Sequence, residues 1–372
     1  MDFHALSGMK DHLGSSREDM AELVDIHRNV LEGAGFRQVE TPVLEDAALF
    51  DRSLGSGSDV VSKEMYTVEQ SGDRIIALRP ENTAGVVRSV VQNKLLSRHN
   101  QLKLFYDGSM FRHERPQSGR LRQFHQVGAE VFGRGDALID AELIHLADRF
   151  LRKAGIREPR LLLNSIGCPR CRPDYVEELV DVLEAHREDL CEDCDRRLDE
   201  NPLRTLDCKN EACRALYDEV VPSILDYLCD ECDEHFDDVR EYLVQFDVDF
   251  EQDSFLVRGL DYYQRTTFEF VAGDLGSQDT VLAGGRYDGL VEQLGGDPCP
   301  ATGFAAGLER LMILRDTFDR QDVDTRTDCY VVSFDQDSLG EILPLVESLR
   351  DLRLPEEGRT FRAEIGNLEA SV

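Results

Sequence analysis

The stretch FRHERPQSGRLRQFHQVGAE, residues 111–130, carries Arg112, Arg115, Arg120 and Arg122 in a chain whose net charge is −32. A guanidinium holds phosphate or carboxylate oxygens through two parallel N–H bonds and stays charged at any working pH. The stretch therefore places positive charge where an anion must sit. Residues 102–114 and 124–132 read as strands, and the polar RPQSGRLRQ between them reads as an exposed, Arg-rich hairpin loop. Taken alone, the same pattern also suits a solvated hairpin with incidental arginines.

Outward from this hairpin, the spacing predicts a helix over 15–32, with Ser15-Ser16-Arg17-Glu18 as a capping box and Met20, Leu23, His27, Val30 and Leu31 on one face. Gly33 and Gly35 stop it. Residues 36–44, FRQVETPVL, alternate in the strand manner, with Pro42 marking an edge. Helices are predicted over 81–93 and 137–153, the second with an apolar stripe of Ile139, Leu143, Leu146, Ala147 and Phe150. Further on, 254–259, 266–272 and 281–284 read as short strands and 303–315 as helix. The polar run 316–328 reads as a linker, followed by a strand at 329–334 and a helix at 338–350.

A length of 372 residues suggests two or three domains. An apolar content of 41% and a mean hydropathy of −0.38 fit a soluble globular chain and exclude a disordered or fibrous one. No apolar run approaches the ~20 residues of a membrane span, and the N-terminus lacks the apolar stretch of a signal peptide, so a cytoplasmic protein without membrane contact is expected. With 74 acidic against 42 basic residues, the charge by itself argues against a nucleic-acid partner. Only six of the basic residues are lysines, Lys10, Lys63, Lys94, Lys103, Lys153 and Lys209, leaving 36 arginines. An acidic, lysine-poor surface fits high intracellular salt, where screening shortens the reach of self-repulsion.

Between Cys168 and Val244 the texture changes: 24 acidic and 9 basic residues, with eight of the ten cysteines. This marks an inserted small domain. Its cysteines fall in pairs, Cys168/Cys171, Cys191/Cys194, Cys208/Cys213 and Cys229/Cys232. Four such half-sites suffice for two tetrahedral zinc sites of four cysteines each. Which pairs share a metal is open, and the same thiols could be reduced or form disulfides. Cys299 and Cys329 stand apart as ordinary apolar positions.

Two further segments, LVRGLDYYQRTTF (256–268) and AGGRYDGL (283–290), precede GFAAGLERL (303–311). With them the chain resembles the histidyl-tRNA synthetases, which are class II aminoacyl-tRNA ligases. GFRQVETPVLED (35–46) is similar to motif 1 of that family, 111–130 to motif 2, 258–266 to its histidine signature and 303–310 to motif 3; the resemblance covers about residues 1–330. It implies an α+β fold, an antiparallel sheet flanked by helices, with a Cys-rich helical insertion and a shortened α/β C-terminal element. The implied division is 1–167 and 245–320 for the catalytic core, 168–244 for the insertion and 329–372 for a partial anticodon-binding domain.

The resemblance also implies partners and roles. L-histidine, ATP with Mg2+ and tRNA(His) would be the ligands, and motif 1 the homodimer contact. Arg112 would hold the α-phosphate and the substrate carboxylate, and Arg258 would approach the α-phosphate from the other side. Arg310 would take the γ-phosphate, Glu114 the adenine edge, and Phe124 would stack on the adenine ring. Glu130, Tyr263 and Tyr262 match the imidazole contacts, whereas Glu81, Thr83 and Gln126 match those to the α-amino group. Asn82 stands where the family commonly has glycine. Buried polar groups suit such selection, because a wrong side chain leaves them unpaired.

The family's C-terminal domain is usually about twice as long as the segment beyond Asp328, and residues 353–372 do not continue its pattern. That leaves a second reading, the synthetase-like regulatory subunit of ATP phosphoribosyltransferase, a binding module with no need of Arg112, Arg258 and Arg310 together. A zinc-bearing interaction protein would explain the cysteines and the acidity, and leaves the arginine segments unexplained.

Overall fold

The structure is a computed structural model that describes residues 3–55, 58, 60–69, 74–117, 119–273, 280–320, 322, 327–332, 339–354 and 359–365. The chain divides into two units, Met1–Arg320 and Gln321–Val372.

In the first unit, α1 (Gly14–Gly33) buries the expected face of Met20, Leu23, His27, Val30 and Leu31. The capping box does not form: Leu13 is the N-cap, and the Ser16 hydroxyl bonds the Phe318 carbonyl at 3.3 Å. The helix starts one residue before Ser15, which places that serine inside the first turn and not at the cap. The alternating stretch 36–44 is also not one strand; Pro42 divides it into β1 (Arg37–Gln38) and β2 (Leu44–Asp46). The helix α2 (Ala47–Leu54) follows, capped by the Asp46 carboxylate accepting from the Ala48 amide at 3.1 Å. With β3 (Thr67–Glu69) and β4 (Ile75–Leu78), β2 forms a small sheet in the order β2-β4-β3.

The helix α3 (Thr83–Gln92) leads to the hairpin of β5 (Leu102–Phe111) and β6 (Gln123–Phe132), whose register runs from Leu102 opposite Phe132 to Phe111 opposite Gln123. Then come α4 (Ala137–Lys153) and β7 (Arg160–Ser165). The Cys-rich segment is helical as expected: α5 (Arg172–Glu184), α6 (Glu192–Glu200), α7 (Glu211–Val220) and α8 (Asp230–Gln245). Residues 254–259 are loop rather than strand, the nearest strand being β8 (Glu251–Gln252). The strands β9 (Gln264–Val271) and β10 (Thr280–Arg286), the short α9 (Leu290–Gln293), β11 (Ala301–Gly307) and α10 (Leu308–Leu314) complete the unit. Helix was expected over 303–315; its first five residues are instead β11, seated between β6 and β10.

The main sheet has the order β1-β5-β6-β11-β10-β9-β7-β8, antiparallel except for the outer pairs β1/β5 and β7/β8. One core lies beneath α1 and α4, where Leu143, Ile144 and Phe150 meet Phe105, Phe268 and Phe304. Inside it Asp140 of α4 takes Nη2 of Arg286 (β10) at 2.7 Å and Nε2 of His235 (α8) at 2.9 Å. This buried triad ties the last insertion helix to the sheet.

The second unit contains β12 (Cys329–Val331), α11 (Leu339–Arg350), β13 (Arg353–Leu354), β14 (Arg359–Thr360) and β15 (Ala363–Ile365). β15 runs parallel to β12, so strands follow residue 353 within this unit. The expected linker at 316–328 and helix start at 338 fall partly, and 366–372 wholly, outside the described residues.

Candidate active site

Side chains two apart on a strand share a face. Phe124, Gln126 and Glu130 of β6 accordingly project together into a cleft of about 1020 Å3, counting the part open to solvent, whose far wall is β10, β11 and the loop before β9.

One end of this cleft is a buried polar pocket. The Glu130 carboxylate accepts from the Thr83 hydroxyl at 2.7 Å and from the Tyr287 hydroxyl, with the Tyr106 hydroxyl at 3.5 Å. Burial pushes this carboxyl up to about 8, although the bonds from Tyr287 and Thr83 pull it down. Gly303 of β11 stands opposite it in the register, and a Cβ there would lie 1.7 Å from Oε2, so only glycine leaves room for the carboxylate. Glu81 accepts the first amides of α3, Thr83 at 2.6 Å and Ala84 at 2.9 Å; burial raises its pKa as well. The rings of Tyr262 and Tyr263 lie 4.6 Å apart, and Tyr262 meets Tyr287 edge-on at 5.5 Å. Burial raises all three phenols, keeping them protonated donors.

The other end is lined by arginines. Nε of Arg112 donates to the Pro80 carbonyl at 2.9 Å, and its guanidinium lies 5.4 Å from the centre of the Phe124 ring. Arg258 pairs with Glu269 and lies 5.9 Å over the Tyr263 ring. Arg310 donates to the Thr280 carbonyl and, at 3.5 Å, to that of Gly119. Arg120 holds Glu114 at 3.1 Å. These anchors fix guanidinium groups before any ligand arrives, the arrangement that stabilises developing charge best.

Glu81, Thr83, Arg112, Glu114, Phe124, Gln126, Glu130, Arg258, Tyr262, Tyr263 and Arg310 all line this one cleft. Asn82 does not join them: its Oδ1 accepts from the Thr41 hydroxyl at 2.5 Å and from Arg79 at 3.3 Å. That makes it a brace between α3 and the 35–46 segment. Tyr106, Tyr287 and Glu269 are added by the structure. Tyr287 lies within AGGRYDGL, and Tyr106 has a signal only once the register is known. It stands opposite Gly128, where a Cβ would lie 2.4 Å from its hydroxyl.

The eight insertion cysteines form two groups, Cys168/Cys171/Cys229/Cys232 and Cys191/Cys194/Cys208/Cys213, each with its sulfurs within 4.8 Å of one another.

An antiparallel sheet with an arginine-lined cleft on its face, fed by a hairpin and a strand–helix turn, is the class II aminoacyl-tRNA synthetase catalytic fold. Residues 8–311 match the family model described as histidyl-tRNA synthetase, and the chain belongs to that family. It is 49% identical to the histidine–tRNA ligase of Sulfurimonas denitrificans over 83% of this chain and 76% of that one. It is 45% identical to that of Desulfotalea psychrophila over 97% of this chain and 84% of that one, so the likeness extends past residue 330. Among solved structures, apo S. aureus histidyl-tRNA synthetase superimposes with a TM-score of 0.76 at 30% identity, covering 100% of this chain and 86% of that one. An ATP phosphoribosyltransferase regulatory subunit/histidyl-tRNA synthetase from Bacillus halodurans shares the fold, with a TM-score of 0.69 at 21% identity over 98% of this chain and 93% of that one.

Proposed function

We propose that the chain is a histidine–tRNA ligase, and the observation that carries this reading is Glu130, a buried carboxylate ringed by Thr83, Tyr106 and Tyr287 next to a cluster of anchored arginines. The pocket suits imidazole and the arginines suit a triphosphate. In the first step a histidine carboxylate oxygen attacks the α-phosphorus of ATP; the new C–O–P bond forms as the bond to pyrophosphate breaks. Arg112 and Arg258 neutralise the α-phosphoryl oxygens from two sides, and Arg310 holds the γ-phosphate. In the second step a hydroxyl of the terminal ribose of tRNA(His) attacks the acyl carbon and AMP leaves. The chemistry is positioning and charge stabilisation.

Mg2+ that accompanies ATP offsets phosphate charge. Glu114 and Glu269 offer hard oxygens toward the same space, each already paired with an arginine, so they fit a metal carried largely by nucleotide and water and not a closed protein cage. The thiolate groups of the insertion fit zinc. The dimer would form through 35–46, consistent with the exposed Val43, Leu44, Val68 and Ile75 at the β2-β4-β3 sheet. A cytoplasmic location is part of this reading, and among the described residues no helix is long and apolar enough to cross a membrane. The regulatory-subunit reading has less support, since Arg112, Arg258, Arg310, Glu81, Gln126 and Glu130 converge on one cleft and the relatives from Sulfurimonas and Desulfotalea are ligases. Histidine attached to tRNA(His) in an ATP-dependent charging assay tests the proposal; failure by folded protein that instead binds ATP phosphoribosyltransferase would favour the regulator.

Two further outcomes are expected. With its carboxyl raised to about 8, Glu130 is mostly protonated at neutral pH in the empty pocket. Ionisation of this acceptor improves histidine binding, so KM for histidine should fall by about tenfold between pH 7 and 9. Glu130→Gln should flatten that profile, and a wild-type profile without this slope counts against the assignment. The net charge of −32 also predicts self-repulsion at low salt. Thermal melts should show Tm rising with added KCl up to molar concentrations, and a Tm indifferent to KCl would sink the high-salt reading.

A further inference from the structure

The insertion cysteines are paired across sequence in a way their spacing left open. Cys168 and Cys171, in the turn before α5, meet Cys229 and Cys232 at the start of α8; Cys191 and Cys194, at the start of α6, meet Cys208, just before α7, and Cys213 in its first turn. Sulfur separations are 3.7 Å for 168/171, 3.9 Å for 168/229, 3.9 Å for 171/232 and 3.8 Å for 191/208. Four sulfurs at Zn–S bonds of about 2.3 Å in a tetrahedron lie about 3.8 Å apart. A disulfide needs about 2.05 Å, and all eight thiols are free. Backbone amides also point at the sulfurs: Cys168 N to Cys171 Sγ at 3.3 Å, Cys191 N to Cys213 Sγ at 3.3 Å and Asn210 N to Cys208 Sγ at 3.4 Å. Such donors stabilise thiolates. Around the first group the buried cluster is Cys168, Cys171 and Cys232, with Leu228 and Cys229 packed on it. So small an apolar cluster holds little by itself, which is the situation in which metal binding becomes folding energy.

Each group also carries a link to the 258–266 segment. Arg172, next to Cys171, donates to the Tyr263 carbonyl at 2.8 Å. From the turn that ends at Cys208, Arg204 donates to the Gly259 carbonyl at 2.7 Å and Asn201 to the Asp261 carboxylate at 2.8 Å. These bonds flank Arg258, Tyr262 and Tyr263, which line the cleft.

We propose that the two groups are two tetrathiolate zinc sites, and that they position the 258–266 segment through Arg172 on one side and Arg204 with Asn201 on the other. The positioning half rests on reading that segment as histidine-recognising; the metal half does not.

Elemental analysis of the purified full chain, with no substrate present, should find two zinc ions per chain. After metal removal, refilling with Co2+ should give the thiolate charge-transfer and tetrahedral d–d absorption of two equivalents. The double variant Cys208→Ser/Cys213→Ser should keep one zinc. Arg204→Ala should keep both and raise KM for histidine by about tenfold with a smaller change in kcat. Iron in place of zinc, fewer than two ions per chain, or eight freely titrating insertion thiols in folded protein would overturn the metal assignment. Two zincs with an unchanged KM in Arg204→Ala would overturn the positioning half. Two zincs in a protein that activates no histidine would contradict the proposed function and leave the metal sites standing.

Discussion

Arg258→Ala is expected to lower histidine-dependent ATP–pyrophosphate exchange by about 10²–10³-fold while the protein stays folded. The guanidinium is held by Glu269 and lies over the Tyr263 ring at the arginine end of the cleft. In the proposed mechanism it meets charge that grows on the α-phosphoryl oxygens only as the carboxylate attacks. The loss should therefore appear mainly in kcat, since an interaction made in the transition state lowers kcat and kcat/KM together. Arg258→Lys should recover only part of the rate, because a point charge cannot reproduce the planar two-pronged contact. Exchange kinetics and a thermal melt of each variant check this; a rate within about threefold of wild type for Arg258→Ala would remove Arg258 from the reaction.

The second large effect is on stability. Asp140→Ala should destabilise the first unit by about 3 kcal/mol, because it removes the fully buried counter-charge of Arg286 and leaves that guanidinium only the half-buried Asp288 at 2.9 Å. Arg286 is 0% exposed and Asp140 1%. Burial opposes ionisation of Asp140, yet Arg286 and His235 together hold its carboxyl well below the usual range. Stability drawn from this group is present above the ordinary carboxylate pKa and is lost as pH falls below it. Urea melts at neutral pH should show a lower midpoint with an unchanged slope. A midpoint equal to that of wild type would mean that the triad contributes nothing to holding α8 against the sheet. Asp140→Asn separates charge from shape: it keeps bonding capacity, and its loss measures the charge.

The segments whose periodicity matches their packing were legible from composition and spacing. The stripe of α4 and the face of α1 point into the core because each helix has one apolar side. What spacing could not reach is whatever depends on partners distant in the chain. Ser16 donates to the Phe318 carbonyl, and residues 303–307 become a central strand because β6 and β10 flank them, though their small residues also suit a helix. The motif resemblance anticipated most of the cleft, and the exceptions have the same cause. Asn82 turns to Thr41 and Arg79, and Tyr106 and Tyr287 join Glu130 only through the sheet register. Four cysteine pairs were visible, but their partnership is set by helix packing and no spacing rule encodes it.

Histidine activation is tested most directly by ATP–pyrophosphate exchange with the wild-type chain in high KCl, run with each standard amino acid in turn. Exchange is predicted with histidine and with no other amino acid. A folded protein that exchanges with none, or that exchanges as fast with a different amino acid, would contradict the assignment of Glu130 and the arginine cleft to histidine and ATP.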